Sequence, residues 1–149
     1  MSSLRQAALK RLARREHSRR ELENKLSALG TAEEIAAVLD HLEQTGLLSD
    51  ERTAAAYLSG HASRLGSMAL RYRLRAKGIS EELIDASLAR AFAADDLGSE
   101  EERARALWRR KFAHPPGDAR EWAKQARFLQ SRGFSSDAIR RILKTTDDA

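Results

Sequence analysis

The chain contains no cysteine and only two prolines, Pro115 and Pro116, which stand side by side. The lack of cysteine excludes disulfides and thiolate metal sites, and it agrees with a reducing compartment. No apolar run approaches the roughly 18 residues of a membrane span, and no apolar block follows the first basic residues. We therefore expect a cytoplasmic protein with neither a membrane span nor a secretory signal.

Motifs for cofactor binding and catalysis are also missing. The four histidines have no metal-ligand spacing, and no glycine-rich loop of a nucleotide-binding type occurs. Acidic pairs such as Glu33–Glu34 and Glu81–Glu82 stand in the first turns of predicted helices, where the helix dipole accounts for them. Since no set of nucleophile, base and orienting residue can be assembled, the sequence predicts a non-enzyme without a cofactor or a metal.

What the sequence does contain is helix-forming residues with recurring helix caps. Ser18, Thr31 and Ser99 each begin a capping box, in which the cap and the third helical residue satisfy each other's backbone groups. Glycines end several predicted helices, as at Gly30, where a left-handed C-cap is expected. These signals divide the chain into nine helices and predict an all-α fold.

A helix–glycine–helix pattern occurs three times, at residues 18–39, 67–88 and 118–143. The sequence therefore predicts one domain of three tandem three-helix repeats, with helix-turn-helix-like units at residues 1–48, 49–97 and 98–149. Because each unit is too small to bury its apolar face alone, the units are expected to stack into an elongated, curved array.

The formal net charge of +5 is divided into blocks of opposite sign. Residues 103–146 carry twelve bases and three acids, whereas residues 80–102 carry one base and eight acids. A basic protein with segregated charge favours a polyanionic partner, or a protein partner that is itself bound to a polyanion. Many single charges are nevertheless expected only to solvate a helix face.

The predicted fifth helix, which begins at Ser67, has no acid and places Leu70 and Leu74 on one narrow face. Two basic stripes flank that face. Met68 and Tyr72 lie on the far side, where contacts with a neighbouring helix are expected. The candidate partner-binding residues are the two stripes and basic residues of the first and third repeats: Arg71, Arg73, Arg75, Lys77, Arg109, Arg110, Lys111, Arg14 and Arg15.

Three stretches resemble motifs of the RecX family, which regulates the bacterial RecA recombinase. They are ALKRLARREHSRREL at residues 8–22, LSDER at residues 48–52 continuing to the Lys77-Gly78-Ile79 turn, and FLQSRGFS at residues 128–135 followed by Ile139 and Leu143. The resemblance covers nearly the whole chain in the family's order. Two positions depart from it: Thr53 stands where the family usually has Phe, and Arg73 where it usually has an acid.

The resemblance implies a regulator of RecA in recombination, DNA repair and the SOS response. Such a protein is expected to bind the RecA filament on DNA, in its helical groove, and to inhibit filament assembly, ATPase activity, strand exchange and coprotease activity. A monomer is expected.

Two alternatives remain open beside this interpretation. One is a sequence-neutral DNA-binding protein that acts through its basic faces, and the other is a helical scaffold for another partner. Direct readout of bases is disfavoured, because the third helix of each unit begins with acids that phosphates would repel. Weak direct contact with DNA stays open.

Overall fold

The computed structural model describes the backbone of residues 3–93 and 98–147. Over these ranges the chain forms nine α-helices and no strand, which confirms the predicted all-α fold. The helices are α1 (Ser3–Leu12), α2 (Arg19–Leu26), α3 (Ala32–Gln44), α4 (Asp50–His61), α5 (Ser67–Ala76), α6 (Glu81–Ala93), α7 (Glu100–Lys111), α8 (Ala119–Ser131) and α9 (Ser136–Asp147). No helix in the described part of the chain is long and apolar enough to cross a membrane.

The capping boxes predicted at Ser18, Thr31 and Ser99 all form. Each cap side chain accepts a hydrogen bond from the backbone of the third helical residue, whose carboxylate in turn accepts the N–H of the cap. Helix α5 begins at Ser67, as predicted, but it is capped from a distance. The Oε1 atom of Glu100 on α7 accepts the Ser67 N–H at 3.2 Å.

The glycines that follow the second helix of each repeat are not equivalent. Gly78 and Gly133 adopt left-handed backbone conformations with φ of 80° and 88°. Gly30 does not have a positive φ, so the predicted left-handed C-cap at this position is wrong. Helix α2 has already ended at Leu26, and the atoms nearest to a Cβ placed on Gly30 belong to the side chains of Leu4 and Glu34.

The chain divides into two compact units. One comprises Met1–Tyr57 and Leu74–Ser87, and the other comprises Leu58–Arg73 and Leu88–Ala149. Helices α4, α5 and α6 therefore each contribute one end to each unit. This division does not follow the predicted boundaries between repeats, and those boundaries remain a prediction.

Each unit has its own apolar core. In the first unit one cluster of buried residues comes from α1, α2 and α3 and the turn after α3: Leu4, Ala8, Leu22, Leu26, Ile35, Leu39, Leu42 and Leu48. In the second unit another cluster comes from α7, α8 and α9 and the turn before α9: Ala104, Trp108, Leu129, Phe134, Ile139, Ile142 and Leu143. Helices α4, α5 and α6 add further buried side chains, among them Leu58, Leu70, Leu74 and Ile84. Aliphatic side chains thus supply most of both clusters.

Candidate partner-binding surface

The nine basic residues predicted to bind a partner fall at three places in the fold. Arg14 and Arg15 lie in the turn after α1, residues 71–77 lie on and just after α5, and residues 109–111 form the last turn of α7. Their surroundings separate cations that stabilise the fold from cations that remain open to a partner.

Glu21 on α2 holds two of the candidates within the first unit. Its Oε2 atom lies 3.1 Å from Nη2 of Arg15 and 3.3 Å from Nζ of Lys77. Its Oε1 atom accepts the N–H of Ser18 at 2.8 Å. Burial alone would raise the pKa of Glu21, but the Ser18 N–H, Arg15 and Lys77 together lower that pKa to about 2. Arg15 and Lys77 therefore stabilise the fold rather than presenting free charge.

The Lys77–Gly78 turn packs on the start of α2 in the same unit. Ser18, which is fully buried, donates its hydroxyl proton to the carbonyl of Lys77 over 2.6 Å. A Cβ at Gly78 would lie 2.4 Å from the Cβ of Arg20, so only glycine fits this approach. Lys77 also lies 5.3 Å from the ring centroid of Tyr57. The motif at residues 8–22 and the Lys77-Gly78-Ile79 turn thus pack directly against each other.

The basic residues of α5 differ in how they are engaged. Arg75 is paired with Glu81 at the start of α6. Arg71 also interacts within the chain. Arg73 is exposed and makes no ion pair with any residue in the described ranges. Of the α5 candidates that the structure describes, Arg73 is thus the one most available to a partner.

The far side of α5 is open rather than packed. Met68 is 65% exposed and Tyr72 is 70% exposed, whereas Leu70 and Leu74 on the opposite side are fully buried. The expectation that Met68 and Tyr72 contact a neighbouring helix is therefore wrong. Helix α5 therefore buries the face that carries Leu70 and Leu74 and exposes the face that carries Met68 and Tyr72.

The basic end of α7 is exposed. Its last turn contains Arg109, Arg110 and Lys111, where positive charge complements the helix dipole. Arg109 and Arg110 make no ion pair with any described residue. The Nζ atom of Lys111 lies 5.6 Å from the ring centroid of Phe128 on α8. This end of the helix accordingly presents cations that no described carboxylate neutralises.

Arg14 is the remaining open candidate. Its side chain is exposed and has no ion-pair partner among the residues that the structure places. It lines a surface groove of about 540 Å³ together with apolar side chains that include Leu12 and Leu47. The groove also contains Arg52, which is paired with Glu16 at 2.8 Å.

One arginine that is absent from the candidate set lies inside the second unit. Arg103 is only 5% exposed, and its Nε atom donates to the carbonyl of Ala62 at 2.9 Å. Its guanidinium lies 4.5 Å from the ring centroid of Phe92. Burial lowers the pKa of Arg103, although the charge of Glu100 opposes that shift. A charge in a basic run can therefore be structural, and only its contacts reveal this.

The described residues show no site for a metal. No group of three or more His, Asp or Glu side chains among them could hold a metal ion. What the surface offers is exposed cations and exposed apolar side chains, which are suited to binding a macromolecule.

Comparison with known protein families gives three matches that follow one another along the chain. Residues 5–42 match the first three-helix domain of RecX, residues 49–88 match the second, and residues 99–143 match the third. These matches place the chain in the class of proteins that are built from three successive three-helix domains.

Relatives named "Regulatory protein RecX" span nearly the same length. The protein of Leptothrix cholodnii is 48% identical over 147 residues, which cover 97% of this chain and 90% of the relative. That of Herbaspirillum seropedicae is 44% identical over 144 residues, covering 96% and 90%. The chain belongs to the RecX family of regulatory proteins. Its relatives are named as regulators rather than as enzymes, which agrees with the non-enzyme interpretation.

Solved structures agree with the fold. A crystal structure of RecX from Lactobacillus salivarius superimposes with a TM-score of 0.78 at 24% identity, covering 98% of this chain and 96% of that one. A second structure, of a regulatory protein RecX, gives a TM-score of 0.74 at 26% identity and covers 95% of this chain and 71% of that one. The all-helical architecture is thus shared with experimentally determined family members.

Proposed function

We propose that this chain binds the RecA recombinase and restrains the assembly of its filament, and with it the ATPase, strand-exchange and coprotease activities. The observation that carries the proposal is the ordered match of three RecX domains across residues 5–143. A regulator of this kind acts where RecA meets DNA, in the cytoplasm.

The mechanism follows from repetition and charge. Three similar helical domains in one chain can make several weak contacts with neighbouring protomers of a polymer, and linked weak contacts bind far more tightly than any one alone. Complementary charge raises the association rate and fixes the register of such a contact. Arg14, Arg73, Arg109 and Arg110 are the predicted residues best placed for this role, because the described chain does not neutralise them.

The test is the DNA-dependent ATPase activity of RecA from the same organism, titrated with this protein at two salt concentrations. We expect inhibition at both concentrations and weaker inhibition at the higher one, because salt screens exposed charges. If the folded protein leaves the ATPase rate unchanged at both concentrations, the proposed function is wrong.

Two further measurements separate the alternatives. A direct DNA-binding protein would bind DNA without RecA, and the logarithm of its affinity would fall steeply with the logarithm of salt concentration. A scaffold for another partner would recover no RecA in a pull-down in any nucleotide state.

A charge reversal on α5 tests which of its cations contact the partner. We expect Arg73→Glu to weaken ATPase inhibition more than Arg75→Glu does, because Arg75 is already paired with Glu81 and Arg73 has no such partner among the described residues. Equal inhibition by the wild type and by a folded Arg73→Glu variant would remove Arg73 from the interface.

A further inference from the structure

The second unit exposes two large apolar side chains on the same face of α5. Met68 and Tyr72 are one helical turn apart, both are mostly exposed, and Arg73 follows directly. Single exposed apolar residues are ordinary, but neighbouring ones framed by charge are typical of interaction sites. Packing of the helix does not require a methionine and a tyrosine at these positions, since α5 is buried through Leu70 on its opposite side.

A second group of side chains surrounds Phe128 on α8. The ring centroid of Phe128 lies 5.6 Å from Nζ of Lys111 and 5.1 Å from Cζ of Arg132. Phe112 meets the same ring edge-on at 5.5 Å. These contacts hold two cations in place, and the sequence has no acid between Glu102 and Asp118 or between Glu121 and Asp137.

Backbone hydrogen bonds bring the two groups together within the unit. Gly66 donates its N–H to the carbonyl of Arg132 at 2.7 Å, and Met68 donates to that of Gly133 at 3.2 Å. A Cβ at Gly133 would lie only 2.3 Å from the Cβ of Ala69. The turn that contains Arg132 is therefore packed against the start of α5, beside Met68.

We propose that these two groups form one protein-docking surface, made of Met68, Tyr72, Arg73, Lys111, Phe128 and Arg132. The surface fits a partner that presents an apolar pocket rimmed by carboxylates. The proposal rests on the proposed function, under which that partner is RecA. Cations that make no ion pair with the described residues supply the charge complementarity, and the exposed side chains of α5 supply the apolar anchors.

A protein partner is favoured over a nucleic acid for two reasons. Tyrosine, methionine and arginine are the residue types enriched in the cores of protein–protein interfaces, and a methionine has little to offer a sugar-phosphate backbone. The Phe128 ring is also already in contact with Lys111, Arg132 and Phe112, so it is not open for a base to stack on.

The experiment uses the full-length double variant Met68→Ser/Tyr72→Ser, which removes only exposed side chains. Its binding to RecA in a pull-down and its inhibition of the RecA ATPase should weaken about tenfold or more, as for loss of a central aromatic anchor. The control is Leu29→Ser, since Leu29 of the first unit is an apolar residue that is 54% exposed. It should bind and inhibit like the wild type.

Charge variants test the other half of the surface. Lys111→Glu/Arg132→Glu should weaken inhibition, whereas Lys25→Glu, an exposed change in the first unit, should not. Circular dichroism establishes that each variant is folded. The surface proposal is overturned if the wild type inhibits RecA and the folded Met68/Tyr72 variant inhibits equally well.

Two other outcomes are informative in different ways. A wild-type protein that neither binds nor inhibits RecA refutes the proposed function itself, together with this surface as a RecA contact. If the variants keep their affinity for RecA but lose affinity for a labelled oligonucleotide in its absence, the surface binds nucleic acid and the inference of a protein partner is wrong.

Discussion

Gln125 occupies a position where the repeat pattern has leucine, as at Leu22 and Leu70. Its side chain is only 4% exposed. Its Oε1 atom accepts the indole N–H of Trp108 at 2.7 Å, and its Nε2 atom donates to the carbonyl of His114 at 3.2 Å. We predict that Gln125→Leu, which restores the pattern of the repeat, destabilises the protein.

The size of this destabilisation follows from the two hydrogen bonds that Gln125 makes. Removing the amide leaves the buried indole N–H of Trp108 without its partner, which costs about 1–3 kcal/mol. Burying the apolar leucine side chain offsets about 1 kcal/mol of this cost. Losing the hydrogen bond to His114 adds about 0.5–1.5 kcal/mol. The free energy of unfolding should therefore fall by about 0.5–3.5 kcal/mol, and the Tm by about 1–14 °C for a chain of this size.

The assay is urea denaturation followed by far-ultraviolet circular dichroism, with Trp108→Phe as the second arm of a double-mutant cycle. Because phenylalanine has no N–H to leave unpaired, Gln125→Leu should cost about 1 kcal/mol less in the Trp108→Phe background than in the wild type. If Gln125→Leu is as stable as the wild type, or the two changes are additive, the hydrogen bond between Gln125 and Trp108 does not stabilise the fold.

Three further predictions concern a buried ion pair and two glycines. Glu21→Gln should cost about 1 kcal/mol at neutral pH. Since the folded pKa of Glu21 lies below its unfolded value, that difference should be complete above the unfolded pKa and vanish as the pH falls towards about 2. Denaturation across a pH series checks this, and a difference that persists unchanged in acid would contradict it. Gly133→Ala should cost about 2–4 kcal/mol in thermal or urea unfolding, because its φ is 88° and its Cβ would meet Ala69. Gly60→Ala in α4, where a Cβ meets nothing within 4 Å, should instead stabilise by about 0.5–1 kcal/mol.

Helix caps and cores were predictable because their signals are local. A capping box such as that at Ser18 links residues three apart, and aliphatic side chains such as Leu22 and Leu26 recur at the helical spacing. The hydrogen bond that caps α5 could not be predicted from such local patterns. Glu100 accepts the N–H of Ser67 from 33 residues away.

The charges of the candidate surface were less predictable than the fold, because a basic run does not show which of its members is paired. Lys77 and Glu21 are 56 residues apart in the chain, so only the fold shows that they meet. Arg73 and Arg75 look alike in the sequence, and they differ because Glu81 reaches one of them. The open cations therefore had to be identified by their contacts.

The unequal glycines have a common explanation in the way neighbouring repeats join. The turn at Gly78 packs on the start of α2, and the turn at Gly133 packs on the start of α5. In each case the glycine after the second helix of one repeat approaches the second helix of the repeat before it, closely enough to exclude any side chain. Gly30 belongs to the first repeat, which has no repeat before it within the described chain, and the atoms nearest to its Cβ position belong to flexible side chains. A glycine that excludes any side chain is therefore required at these joints between repeats rather than in every helix–glycine–helix turn.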